Sequence, residues 1–126
     1  MLAFEQLREL AGDYITGHIA SERDYMMVAG VPPEVARKLL EEDPFGLEQQ
    51  QNCSPTMEEM ISLCEIHGGT LEGYIIPAES GRADARTTFE GFSIDVNEMT
   101  ARMLRESLEP DEFDLNDDCQ YRFWWT

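Results

Sequence analysis

Apolar residues in the first segment fall at Leu7, Leu10, Ala11, Tyr14, Ile15, His18 and Ile19, the three- and four-residue spacing of one helical face. A helix is therefore predicted here, although Gly12 and Gly17 lie inside it and each costs about 1 kcal/mol relative to alanine. His18 falls on the apolar stripe and reads as a satisfied core or boundary residue. Ser21-Glu22-Arg23-Asp24 resembles a cap for a second helix through Tyr25, Met26, Met27 and Val28, ended by Gly30. Pro32 and Pro33 suit the first turn of a third, where missing amide protons matter little, with Val35, Ala36, Leu39 and Leu40 on its buried edge. Residues 43 to 56, with Pro44, Gly46, the Gln49-Gln50-Gln51-Asn52 run and Pro55, read as a connecting loop.

The period changes in the back half. Thr56-Met57-Glu58-Glu59 is a capping-box pattern, followed by a stripe of Met57, Met60, Ile61 and Cys64 and a glycine stop at Gly68-Gly69. Thr70 to Ala78 and Ala85 to Ile94 read as the two strands of a hairpin turning at Ser80-Gly81, with bulges at Gly73 and Gly91. Asp95-Val96-Asn97-Glu98 offers another cap, and Val96, Met99, Met103 and Leu104 follow on one helical face, with Glu98 and Arg102 paired at i, i+4. An acidic loop then leads into Tyr121, Phe123 and Trp125 alternating with Gln120, Arg122 and Trp124, the period of a strand. The fold expected is a single α+β domain over residues 1–126. Its N-terminal half (1–42) is helical, and residues 54–126 run helix, strand, strand, helix, strand. The result is a small three-stranded, mainly antiparallel sheet in the order second, first, third, with helices packed on one face.

Charge changes this picture more than composition does. The 126 residues hold 26 acids against 9 bases, a net of −17, with Lys38 the single lysine. Residues 1–52 and 53–104 each carry a net of −6, while the 22 residues from Arg105 to Thr126 carry −5, about twice the density. A field of this sign repels nucleic acid and anionic membranes and draws in basic proteins or cations. Salt adaptation and plain solvation are the bland explanations. The 42% hydrophobic and 10% aromatic content argues against disorder. An odd set of cysteines (Cys53, Cys64, Cys119), with no charged-then-apolar leader and no run of some 18 apolar residues, points to a reduced, soluble, cytoplasmic chain.

Chemistry has few footholds. Cys64 and His67 stand three apart on a predicted helix, which allows a shared metal or a nucleophile-base pair, with Cys53 or Cys119 to complete a zinc site. The spacing lacks the two close ligand pairs of structural zinc, and a cysteine inside a helix is usually buried. Gly68 to Gly73 lacks the lysine of a phosphate-binding loop, and the acid run lacks the ligand spacing and central glycine of an EF-hand. No Gly-x-Ser-x-Gly, His-Glu-x-x-His or Cys-x-x-Cys motif occurs. The sequence thus calls for no cofactor and no catalytic residue.

What remains is Glu106, Glu109, Asp111, Glu112, Asp114, Asp117 and Asp118, running into the aromatic strand. These carboxylates can stand in for phosphates before an arginine- and lysine-lined groove, with Trp124 as an apolar anchor. At least half of Tyr121, Phe123, Trp124 and Trp125 are expected to be core. The expected function is an acidic inhibitor or regulator of a basic protein, a nucleic-acid-binding protein or nuclease, with no direct nucleic acid or membrane contact. Phage-encoded inhibitors of defence nucleases and toxin-neutralising immunity proteins share this size and acidity, and the first is preferred. The alternatives are a metal- or thiol-dependent enzyme built on Cys64 and His67, and a structural oligomer subunit joined through the aromatic strand's edge.

Overall fold

The computed structural model describes residues 1–21 and 23–126. Among the described residues the chain forms four α-helices and one six-stranded antiparallel sheet. In chain order these are α1 (Phe4–Ala11), β1 (Ile15–His18), β2 (Met26–Val31), α2 (Pro33–Glu41), α3 (Met57–His67), β3 (Gly69–Ile76), β4 (Arg86–Ile94), α4 (Glu98–Leu108), β5 (Glu112–Leu115) and β6 (Tyr121–Trp124). The strands lie side by side as β1-β2-β3-β4-β6-β5.

This corrects the expectation of a helical front half joined to a three-stranded sheet: helices and strands are interspersed from the start. The first helix stops at Ala11, passes through a single 3₁₀ turn over Gly12–Tyr14, and the chain extends into β1. Met26, Met27 and Val28, expected in a second helix, alternate buried, exposed, buried in β2. An unbroken apolar run carries no period of its own, so pairing with β1 and β3 decides its conformation. Glu22, part of the expected Ser21-to-Asp24 cap, lies outside the described residues. His18 is exposed on the edge strand rather than on a helix stripe.

The order within the sheet differs for a related reason. The last strand was expected beside the first strand of the hairpin, here β3. That edge of β3 is taken by β2, so β6 pairs with β4 instead. The acidic stretch, expected as a loop, folds back as β5 and closes the sheet.

Local signals in the middle of the chain hold. Thr56 Oγ1 accepts from Glu59 N, and Asn97 Oδ1 accepts from Thr100 N, each satisfying an otherwise orphaned amide of α3 or α4. Gly68 ends α3 in the left-handed conformation, and Pro33 opens α2. The β3–β4 hairpin carries a bulge between Glu72 and Gly73, with Glu90 as the extra residue on β4. The glycines there are a requirement of packing. A Cβ on Gly73 would sit 2.0 Å from the Thr88 carbonyl oxygen, and one on Gly91 would sit 2.4 Å from that of Phe123.

One face of the sheet meets the helices. Leu71, Ile75, Phe89, Phe92, Ile94 and Phe123 pack with Leu7, Leu39, Leu40, Met60 and Ile61 in a single buried cluster. Phe92 stacks on Phe123 at 5.1 Å and tilts against Trp125 at 5.9 Å between ring centroids. The 43–56 loop is fixed to β4 by Asp43, whose buried carboxylate accepts from Thr87 N (2.6 Å), Phe45 N and Gly46 N. Burial nonetheless raises the Asp43 carboxyl above its ordinary range, against the pull of those three donors. Among the described residues no helix is long and apolar enough to cross a membrane.

Candidate functional site

Strand pairing determines where the C-terminal acids point. Glu112 lies opposite Trp124 and Asp114 opposite Arg122, so all four share the sheet face away from the helices, while buried Phe123 and partly buried Phe113 form the inward row between them. On that outer face Arg122 organises the charge. Its Nε donates to Glu72 Oε1 at 2.6 Å, and Nη1 lies 3.5 Å from Glu112 and 3.9 Å from Asp114. Its guanidinium also covers the Trp124 ring at 5.4 Å.

Beside this group is a depression of about 200 Å³, lined in part by Tyr25, Met27, Glu72, Glu90, Arg122 and Trp124. The bulge brings Glu90 onto it. Partial burial, followed by the nearby Glu72 carboxylate, raises the Glu90 carboxyl above its usual range. Among the described residues no side-chain hydrogen bond or ion pair reaches that carboxylate. Tyr25 stacks on Tyr74 at 5.1 Å on the same face, and the Arg86 guanidinium stands 5.3 Å from the Tyr74 centroid.

The remaining expected site residues separate into three roles. Asp111 secures the chain end, its Oδ2 accepting from Thr126 N at 2.9 Å and from Thr126 Oγ1 at 3.1 Å. Asp117 and Asp118 lie exposed in the β5–β6 turn, which Asn116 fixes by accepting from the amides of Asp118 and Gln120, both at 3.0 Å. Glu106 and Glu109 stand at the C-terminal end of α4, and Glu109 adopts a left-handed φ of 51°. Among the described residues no ion pair reaches Glu106, Glu109, Asp117 or Asp118. The aromatic strand divides as expected: Phe123 and Trp125 are core and Tyr121 packs against it, while Trp124 faces outward.

Cys64 and His67 are not brought together as a reactive pair. The Cys64 thiol is buried and donates to the Thr70 carbonyl at 3.7 Å, and burial pushes its pKa up to about 12. A thiol of that kind is protonated at neutral pH and a poor nucleophile. Cys53 and Cys119 are exposed, and among the described residues no three His, Cys, Asp or Glu side chains are grouped to hold a metal.

Sequence reasoning missed Glu72, Glu90 and Tyr25, and missed Arg122 as the partner of Glu72. One signal was present for the two glutamates. Reflection of the predicted hairpin about Ser80-Gly81 carries Glu72 to position 89, one short of Glu90, and both precede a glycine already read as a bulge. No family model, curated protein or solved structure matches the chain.

Proposed function

We propose that this protein binds and blocks, or regulates, a basic partner that itself handles nucleic acid, its carboxylates taking the place of phosphates. The observation that carries this reading is the strand-borne array of Glu72, Glu112 and Asp114 around Arg122, continued by Asp117 and Asp118 at the hairpin turn. Charges on a hydrogen-bonded sheet lose little conformational freedom on binding, whereas the same charges on a loop must first be ordered. Alternate residues of β5 place Glu112 and Asp114 about 6.7 Å apart, in line along one face. Arg122 spaces the carboxylates without cancelling them, since Glu72, Glu90, Glu112 and Asp114 outnumber it.

A second observation supports a role beyond folding. Glu106 and Glu109 sit where the α4 dipole is negative, each opposing local stability by about 0.3–1 kcal/mol. Acids at such positions fit better with attraction of a cationic surface than with helix formation.

The test is capture from cell lysate at low and high salt with wild type and with Asp114→Lys/Asp117→Lys/Asp118→Lys, after circular dichroism shows the variant folded. The expected result is a basic nucleic-acid-binding protein that is captured by wild type, released by added duplex DNA and steeply lost with salt. The variant is expected to lose most of it. Capture indifferent to ionic strength, or equal capture by the variant, would overturn the reading.

A further inference from the structure

The three most exposed large apolar side chains of the described residues are Ile66 (73%), Met99 (73%) and Met103 (66%), and all three belong to α3 and α4. Between these helices runs a groove of about 310 Å³, lined by Leu63, Ile66, Leu104 and Leu108, with Glu58 and Glu59 at its side. No lysine or arginine lines it. Of the residues of α4, only Ala101 is fully buried. The helix therefore leaves Leu104 and Leu108 partly covered and its methionines in solvent.

Apolar surface of this kind, left open on a highly charged chain, marks a contact surface. We propose that the α3–α4 groove is a docking site for a basic amphipathic helix of a partner protein. The geometry suits that occupant. The lining residues of α3 run from Glu58 to Ile66, about 12 Å of helix, room for roughly two helical turns and so for apolar anchors at i, i+3 or i+4, and i+7. Leu63, Ile66, Leu104 and Leu108 receive those anchors; Glu58 is already held by Arg37 at 2.7 Å, and Glu59, which no ion pair reaches among the described residues, faces the lysines or arginines flanking them. A second copy of this chain fits poorly, because two molecules each carrying −17 would meet acid against acid. The site is separate from the carboxylate face of the sheet, and either can fail without the other.

The experiment uses the full-length protein and a labelled synthetic peptide of about 14 residues, roughly four helical turns, with leucines along one helical face and lysines elsewhere. Its comparators are a scrambled peptide of identical composition and a peptide with every lysine replaced by glutamate. Affinity is read by fluorescence anisotropy and the contact by amide chemical-shift changes. The amphipathic lysine peptide is expected to shift amides of α3 and α4, and the scramble to bind at least about tenfold more weakly. The glutamate peptide is expected not to bind. Ile66→Asp changes an exposed residue and leaves the fold intact; it is expected to weaken binding about tenfold, and Glu59→Lys severalfold. Equal binding of the scramble, shifts confined to the β5–β6 face, or unchanged affinity in Ile66→Asp would overturn the proposal. So would sedimentation showing a wild-type dimer that Ile66→Asp abolishes.

Discussion

Helices α3 and α4 are alike in length and in how their ends are capped, and opposite in what they do for the fold. Each has 11 residues, each begins at a side chain that caps the third amide, and each ends in a left-handed residue, Gly68 at φ 70° and Glu109 at φ 51°. Yet α3 buries Met57, Met60, Ile61 and Cys64 against the sheet, whereas α4 buries Ala101 alone. Ion pairs follow the same division. Arg37 of α2 reaches Glu58 and Glu65 of α3, both at 2.7 Å, while the Glu98–Arg102 pair of α4 joins one turn of the helix to the next. Capping decides where a helix starts and stops; the size and number of inward side chains decide how firmly the molecule depends on it.

The largest expected effect sets the two methionines against each other. Met60→Ala should lower unfolding free energy by about 2–5 kcal/mol, the usual range for emptying a core methionine site. Met103→Ala should stay within about 0.5 kcal/mol. Urea titrations monitored by tryptophan fluorescence measure both, and equal losses would erase the distinction between the helices.

Cap removal comes next. Thr56→Ala and Asn97→Ala each take away one bonded amide, worth about 1 kcal/mol. The loss at Thr56 should appear in the global transition, because α3 unfolds only with the core. The loss at Asn97 should appear mainly as faster amide exchange confined to α4. Hydrogen exchange resolved by residue separates the two.

The smallest effect is electrostatic and depends on pH. The Arg37 hydrogen bond holds the Glu58 carboxyl below its ordinary range, so the folded state favours the ionised form. The stability this contributes is present above the ordinary carboxylate pKa and is lost as pH falls through the lowered one. Wild type and Arg37→Gln should therefore differ by under about 1 kcal/mol at neutral pH and converge in acid. Arg102→Gln should shift stability less than Arg37→Gln, which thermal melts across the acid range would show.

The same contrast explains what could be read from the chain. Caps, glycine stops and the Pro33 entry are local, and they located α2, α3 and α4 and the β3–β4 hairpin. Strands β1, β2 and β5 were not legible, because each depends on a partner distant in sequence: Ile15 on Val28, Met26 on Ile75, Glu112 on Trp124. At the candidate site the acids and Trp124 stood out by charge density and residue type. Their grouping did not, since Arg122 meets Glu72 across 50 positions and only the strand order brings them together. Asp111 could not be recognised as the clamp on Thr126 until β5 was seen to run back along β6.

Strand β5 is one of the two free margins of the sheet, and its far margin, β1, is likewise only four residues long and irregular in register. Unpaired strand margins recruit strands from other molecules and seed fibrils. The carboxylates of Glu112 and Asp114, repeated on every copy, oppose such stacking by like-charge repulsion. The charge that attracts cationic surfaces thus also keeps neighbouring molecules apart, and replacing Glu112 and Asp114 with their neutral amides would remove a safeguard against aggregation.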